Sequence, residues 1–218
     1  MKNKGKGLFP MLTRSDIRHI FESLEVQPKD ANPKNWDAIE NIETFKGYDF
    51  LTYQGATKGV LVAESFTENV IRVFKFTFAT NEWDDEFSYD YCKREWKNYK
   101  TIKEYYPEVA GLFARIKPIT MIGGVIIYEQ EYIQSIEYKL SGDSKYWRTG
   151  NLPREYITDR CTPCCAFLNY LILAGMGDYI DPLCETTMDL EINDIHTGNV
   201  GLDINNNPKI FDYSGFID

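Results

Sequence analysis

The sequence lacks an apolar run long enough to cross a membrane, and it lacks an excess of basic residues. Its longest apolar run, residues 164–177, is shorter than the roughly 20 residues that a membrane-spanning helix needs. The 218 residues carry 24 Lys and Arg against 33 Asp and Glu, which gives a formal net charge of −9. Nucleic acids and anionic membrane surfaces repel such a protein on average. We therefore expect no nucleic-acid partner and no membrane, and any anionic ligand must be held by a local site.

A secretory signal is missing as well, because residues 1–16 are basic but contain no apolar stretch of sufficient length. We expect a cytoplasmic protein. The five cysteines are an odd number, and an intracellular chain keeps its thiols reduced, so no disulfide is expected. Cys161, Cys164 and Cys165 are followed only by Cys184, and both histidines lie far away in the sequence. This spacing disfavours a zinc site.

The pattern of apolar residues predicts a mixed chain of helices and strands. Residues 13–26 place Ile17, Ile20, Phe21 and Leu24 at helical spacing behind a Thr or Ser cap. Two β-rich runs follow, at residues 48–64 and 69–79, and the polar stretch 65–68 between them favours an antiparallel hairpin. The remaining predicted elements are a helix within 87–106 ended by Pro107, two strands within 111–133, a polar stretch at 140–163, a helix at 164–174 and a final hairpin.

The final hairpin contains the most informative stretch, "NDIHTGNVGLDINNNPKIFDYSGF", residues 193–216. The runs "NVGLDI" and "PKIFDY" can pair across the turn-forming "NNN". Asp194 and Asn199 then lie on the loop before the first strand, and Asp212 lies just beyond the second. We expect the three side chains to converge at one edge. Carboxylate and amide oxygens are ligands that Mg²⁺ accepts, together with substrate phosphates and water.

Here the sequence resembles the protein-kinase-like superfamily, closest to the small bacteriophage serine/threonine kinases and the aminoglycoside-phosphotransferase branch. "DIHTGN" is similar to the catalytic loop Asp-x-x-x-x-Asn, and "IFDYSG" takes the place of Asp-Phe-Gly. The resemblance implies an α+β, two-lobed protein-kinase-like fold with an antiparallel-sheet small lobe and a compact, truncated, mainly helical large lobe. The predicted segments are an N-terminal helical extension (1–45), the small lobe (46–139) and the large lobe (140–218).

By this resemblance the cofactors are ATP and Mg²⁺. Asp194 would be the catalytic base, and Asn199 and Asp212 would be the magnesium ligands. For His196, a structural hydrogen bond to the loop backbone is the favoured interpretation.

The strand "VIRVFKF" should supply the cation that holds the ATP phosphates, and it offers Arg72 and Lys75. Arg72 is favoured narrowly, because it lies among Val70, Phe74 and Phe76 on the side that we expect to be interior, where a cation needs an anion. Lys75 has the chemistry that is usual in the family. The helix acid that pairs with the cation is predicted to be Glu95, with Glu86 and Glu104 as alternatives, and a solvent-facing glutamate is the simpler explanation.

Two further contacts follow from the resemblance. Gly55 and Gly59 in "YQGATKGV" are similar to a degraded glycine-rich loop over the phosphates, although an ordinary β-turn explains them equally well. The strand "GVIIYEQEYI" would end in the hinge, where backbone groups of Glu129 to Glu131 meet adenine and Tyr128 is the gatekeeper; a plain core strand is the alternative.

The sequence departs from the family pattern at Ile192, where His or Tyr is usual, and at Ser214, where Gly is usual. Only six residues follow Asp212, which leaves no room for the helices that dock peptide substrates. We therefore expect an ATP-dependent serine/threonine protein kinase of bacteriophage type, located in the host cytoplasm if viral, with a protein substrate or host protein as partner. The alternative is a pseudokinase that serves as a protein-interaction module. A small-molecule kinase is less favoured.

Overall fold

A computed structural model describes residues 11–23, 44–54, 58–65, 70–77, 91–122, 125–135 and 165–215. These residues form a mixed α+β structure, as the sequence predicts. Their four α-helices are α1 (Arg14–Ser23), α2 (Tyr91–Tyr105), α3 (Cys165–Leu173) and α4 (Ile180–Asp189). Their strands are β1 (Thr44–Phe45), β2 (Tyr48–Gln54), β3 (Lys58–Ser65), β4 (Val70–Thr77), β5 (Ile116–Ile122), β6 (Val125–Gln130), β7 (Gln134–Ser135), β8 (Val200–Leu202) and β9 (Pro208–Ile210).

The chain divides into two compact units, and each unit is built from two separate stretches of sequence. Unit 1 comprises Met1–Tyr89 and Pro118–Glu129, and unit 2 comprises Asp90–Lys117 and Gln130–Asp218. The segments predicted from the sequence were continuous, because composition and periodicity report only on neighbours along the chain. Among the described residues, no helix has both the length and the apolar character that crossing a membrane requires.

The described residues of unit 1 form a sheet with helix α1 packed against it. The strands lie in the order β1-β2-β3-β4-β6-β5, and the pairs β1·β2, β2·β3 and β3·β4 are antiparallel. The predicted β3–β4 hairpin is therefore confirmed. The first β-rich run, however, is divided into β2 and β3 and is not one strand. Residues 55–57, between these strands, lie outside the described residues.

Helix α1 begins where the sequence predicts. Thr13 Oγ1 accepts a hydrogen bond from the Asp16 N–H at 3.2 Å, and the Asp16 carboxylate accepts one from the Thr13 N–H at 2.8 Å. This reciprocal pair is a capping box. Apolar residues of α1 and of the sheet then form a common core, in which Phe21 packs edge-on to Phe76 with ring centroids 5.0 Å apart. The core residues are Leu12, Ile17, Ile20, Phe21, Tyr48, Leu61, Ala63, Phe74, Phe76 and Ile127.

The described residues of unit 2 form helices α2, α3 and α4 and the three-stranded sheet β7-β8-β9. Ser135 pairs with Gly201, and Val200 pairs with Ile210, both in antiparallel register. The Ala114 N–H donates to the Ile210 carbonyl at 2.8 Å, which joins the segment after α2 to this sheet. Cys184 on α4 is disulfide-bonded. The expectation that no disulfide forms is therefore wrong, because it was based on compartment and cysteine count, whereas pairing depends on which cysteines the fold brings together.

Candidate functional site

The predicted terminal hairpin is present in unit 2 as β8 and β9. Its turn is closed by the Asp203 carboxylate, which accepts hydrogen bonds from the backbone N–H groups of Asn205 (2.8 Å) and Asn207 (2.9 Å). Burial alone would raise the pKa of Asp203. The hydrogen bonds from Asn207 and Asn205 outweigh burial and leave this pKa below its ordinary value. The Asn-rich turn therefore fixes the register of the hairpin.

Asp194, Asn199 and Asp212 are brought to the other end of this hairpin. The Phe211 N–H donates to the Asn199 carbonyl at 2.9 Å, so that Asp212 follows a residue bonded directly to Asn199. The side-chain amide of Asn199 donates to the Asp194 carbonyl at 2.7 Å. Two hydrogen bonds thus link the three segments. These bonds bring the three segments to one end of the hairpin, and the convergence of the three side chains stays a prediction.

His196 holds the loop between Asp194 and Asn199. Its Nδ1 accepts a hydrogen bond from the Gly198 N–H at 3.0 Å and caps the 3-10 turn Thr197–Asn199. A Cβ at Gly198 would lie 2.7 Å from His196 Cε1, so a side chain there would displace the ring. Since Nδ1 is an acceptor, the neutral ring carries its proton on Nε2, and Nε2 lies 3.8 Å from Asp194 Oδ1. The structural role favoured for His196 is therefore confirmed.

The segment that carries Asp212 is anchored on both sides by amides that the sequence analysis missed. Gln130 Nε2 donates to the Phe211 carbonyl, and Asn98 Nδ2 donates to the Tyr213 carbonyl, each at 2.9 Å. The Tyr213 hydroxyl donates to the Ala114 carbonyl at 2.7 Å. Ser214 Oγ lies 3.4 Å from Asp212 Oδ1. Asn98 is a polar residue on the apolar face of α2, where it is buried. This position was the one signal that could have indicated its role from the sequence.

Glu95 is buried completely on α2, although a solvent-facing glutamate was the simpler expectation. The Gln130 side-chain amide lies 3.5 Å from Glu95 Oε1. Of the two alternatives, Glu104 is exposed and Glu86 lies outside the described residues. Because a buried carboxylate is costly unless it has partners, Glu95 is the acid of α2 that the fold holds at a specific position.

In unit 1, Arg72 lies on the interior side of β4, as expected, and its anion is Glu129. Arg72 Nε and Nη2 donate to the two carboxylate oxygens of Glu129 at 2.7 and 3.0 Å, and Nη1 donates to the Leu12 carbonyl at 2.5 Å. The guanidinium also lies over the Phe74 ring, 5.1 Å from its centroid. All three guanidinium nitrogens therefore bind groups of the protein itself, which makes Arg72 a structural cation in this arrangement.

Lys75 lies on the opposite face of the same sheet. Cross-strand pairs share a face, and the register pairs Val60 with Lys75, Val62 with Val73, and Leu51 with Val62. This face is apolar around the lysine. Leu51 is exposed, Val60 and Val62 are half-buried, and Lys75 is buried. An amine beside an apolar strand surface suits a ligand with both a flat apolar part and an anionic part.

The remaining predicted ATP contacts are placed as follows. Gly55 lies outside the described residues, whereas Gly59 is buried in β3 and pairs with Gln54 and Phe76. The Glu129 carboxylate binds Arg72. The Glu131 N–H donates to the Arg115 carbonyl at 2.9 Å, so this N–H is not available to an adenine ring in this arrangement.

The residues around Asn199 and Asp212 fit a magnesium ion by their chemistry. The Asn199 amide nitrogen is used by the Asp194 carbonyl, so the amide presents its oxygen as a ligand. Asp212 adds a half-buried carboxylate. Within the described ranges, no three His, Cys, Asp or Glu side chains gather as a metal site. Such a pair would thus hold the ion together with phosphate oxygens and water, the usual mode for Mg²⁺.

Comparison with known proteins does not extend this assignment. No protein-family model matches the sequence, and no curated protein is significantly similar to it. The resemblance to the protein-kinase-like superfamily therefore depends on the motif residues of the terminal hairpin and on the order of elements before them.

Proposed function

We propose that this chain is an ATP- and magnesium-dependent phosphotransferase with a two-lobed protein-kinase-like fold, most similar in motif to bacteriophage serine/threonine kinases. The observation that carries the proposal is the hydrogen bond between Phe211 and Asn199, which places Asn199 and Asp212 at one end of the hairpin, where Asp194 is tied to Asn199. Phosphoryl transfer is suited by the groups at this end of the hairpin: the Asp212 carboxylate, the Asn199 amide oxygen and the half-exposed Asp194 carboxylate.

Each of these residues has a defined role in the proposed reaction. Asn199 and Asp212 would hold a magnesium ion, which would supply positive charge beside the ATP phosphates. Asp194, whose side chain is 36% exposed, orients the acceptor hydroxyl and accepts its proton as the hydroxyl oxygen bonds to the γ-phosphorus, while the bond from that phosphorus to the β–γ bridging oxygen breaks and ADP leaves. His196 keeps the loop in the conformation that presents Asp194 and Asn199 together.

We assign the phosphate-binding cation to Lys75. The sequence narrowly favoured Arg72 because of its position among interior residues. In that position, however, its guanidinium is bound by the Glu129 carboxylate. Lys75 lies on the other face, beside Val60 and Val73, where a purine ring can contact apolar side chains. Glu95, which is buried on α2, keeps the role of helix acid that the resemblance implies. The acceptor is proposed to be a protein, acting in the cytoplasm.

The proposal is tested by transfer of radiolabelled γ-phosphate from ATP to the purified protein and to proteins of a cell lysate. Asp212→Asn should abolish transfer, and Asp194→Asn should lower turnover more than ATP affinity. Asp181→Asn, at an exposed position of α4, is the matched control and should leave transfer unchanged. Transfer that persists in Asp212→Asn would disprove the assignment.

A pseudokinase that acts as an interaction module is the second candidate. The observation that favours it is the hydrogen bond between the Glu131 N–H and Arg115, which occupies a group that the resemblance assigns to adenine. A thermal-shift assay separates the two candidates, because a nucleotide that binds only the folded state raises the melting temperature. If magnesium-ATP does not raise it, the interaction function replaces the enzymatic one.

A further inference from the structure

A cavity of about 330 Å³ opens in unit 2 at the turn end of the β8–β9 hairpin. Part of its wall is the 3-10 turn Ala110–Leu112, part comes from Met176 and Tyr179, and the rest is the strand start Asn207 to Lys209. Asn199 and Asp212 lie at the other end of the same two strands, so the cavity is separate from the candidate catalytic site. Its volume is in the range of small-molecule pockets.

Lys209 gives the cavity a buried cation. The side chain is 10% exposed, and Nζ donates to the Gly111 carbonyl at 2.6 Å. Nζ also forms an ion pair with the Glu131 carboxylate at 3.9 Å, a distance too long for a hydrogen bond, and the charge of Lys209 acts on the nearby Asp203 carboxylate. An ammonium has three N–H donors, and Lys209 uses one of them on a described residue. An anionic oxygen in the cavity would satisfy a further donor.

The rest of the wall combines apolar groups with acceptors. The apolar lining residues are the buried Leu112 and Pro208, the half-buried Met176 and the exposed Tyr179. Glu108 contributes an exposed carboxylate. Asn207 uses its amide nitrogen on Asp203 at 2.9 Å, so its carbonyl oxygen is the part of that amide left to accept a hydrogen bond. Glu108 and Asn207 thus favour a cationic group on the ligand, whereas Lys209 favours an anionic one.

We propose that this cavity binds a small zwitterion with an apolar body, of the class of the aromatic and large aliphatic α-amino acids. The ligand carboxylate binds Lys209, its ammonium faces Glu108 and Asn207, and its side chain packs on Leu112 and Met176. This binding does not depend on phosphotransferase activity, and it holds equally for an enzyme and for an interaction module.

Two glycines make a matched pair of variants for the test. A Cβ built on Gly111, which lines the cavity, meets no atom within 4 Å, and the same is true of Gly177, which does not line it. Both are in 3-10 turns. Gly111→Leu should therefore fill the cavity without disturbing the fold, and Gly177→Leu adds the same side chain outside it.

The experiment follows the ¹³C-labelled methyl group of Met176 by NMR in the full-length protein, with Met188, which is exposed on α4, as the internal reference. The probes are L-phenylalanine, 3-phenylpropanoate, which lacks the amine, and 2-phenylethylamine, which lacks the carboxylate. L-phenylalanine should give a saturable shift of Met176 but not of Met188. Each of the other two probes should bind at least about tenfold more weakly, as expected when a charged hydrogen bond is lost.

The variants decide whether the cavity is the site. Gly111→Leu should abolish the shift, Gly177→Leu should retain it, and Glu108→Gln and Lys209→Met should each raise the Kd about tenfold or more. Circular dichroism establishes that each variant is folded. The proposal is overturned if Met176 shows no saturable shift up to the solubility limit of L-phenylalanine, if all three probes bind alike, or if Gly111→Leu binds as the wild type does.

Discussion

Arg72 and Glu129 form a bidentate ion pair across the sheet of unit 1, with Nε and Nη2 at 2.7 and 3.0 Å from the two carboxylate oxygens. The two residues are 57 positions apart in the sequence. Their side chains are only 17% and 23% exposed, so each charge needs the other. Arg72 also donates from Nη1 to the carbonyl of Leu12, just before α1, and so helps to hold that helix on the sheet.

Removing one partner of this pair should destabilise unit 1. We expect Arg72→Leu to lower the free energy of unfolding by about 2 kcal/mol, because the partly buried Glu129 carboxylate loses two charged hydrogen bonds. The double variant Arg72→Leu/Glu129→Leu should be less destabilised than the sum of the single variants, by about 1 kcal/mol or more. Urea denaturation of the four proteins measures this. If the changes in the free energy of unfolding of the two single variants simply add in the double variant, Arg72 and Glu129 have no coupling energy.

Lys75 and Arg72 should differ in their effect on nucleotide binding. Under the proposed function, Lys75→Met should raise the Kd for magnesium-ATP at least about tenfold, because the cation that contacts the phosphates is lost. Arg72→Lys keeps a charge on the interior face and should leave that Kd nearly unchanged while lowering stability. The rise in melting temperature with ATP, taken relative to each variant alone, is the measurement. The reverse ranking would return the phosphate role to Arg72.

Gly215 should be intolerant of any side chain, and Gly175 gives the matched control. The two have nearly the same backbone dihedral, φ of +72° and +73°, but a Cβ at Gly215 would collide with the Glu191 carbonyl oxygen, whereas one at Gly175 meets nothing within 4 Å. Gly175→Ala should lower the free energy of unfolding by about 1 kcal/mol, because alanine is strained in the left-handed backbone conformation. Gly215→Ala should cost about 3 kcal/mol or more. Thermal or urea unfolding compares them, and equal costs would mean that the collision is relieved.

Tyr213 should make the protein sensitive to alkali. Burial, and next the nearby Glu95 carboxylate, raise the pKa of its hydroxyl well above the ordinary 10.0. Above about pH 10 the unfolded chain therefore releases a proton that the folded chain retains, so stability must fall as the pH rises. Tyr213→Phe should lower the free energy of unfolding by about 1 kcal/mol at neutral pH, because the hydrogen bond to Ala114 is removed. In alkali, however, the free energy of unfolding of this variant should fall less steeply with pH than that of the wild type. Urea midpoints between neutral and alkaline pH test this, and parallel declines would contradict it.

Local features of the fold were predictable because their causes lie within a few residues. The capping box of Thr13 and Asp16 starts α1, and the Asn-rich turn after Asp203 closes the terminal hairpin. Once the hairpin is given, Asn199 and Asp212 must come to one end of it, because paired strands fix their register. The division of the first β-rich run into β2 and β3 was missed, since an apolar run alone does not show where a chain reverses.

The sequence by itself determined the mixture of helices and strands, the terminal hairpin and the residues gathered at its end, because these depend on periodicity, capping and turn chemistry between neighbours. Only the tertiary structure decided that Arg72 is neutralised by Glu129, that Glu95, Asn98 and Gln130 are buried together in unit 2, and that Lys209 lines a cavity. Those facts depend on which distant segments come into contact, and a buried charge takes its role from the partner that the fold brings to it.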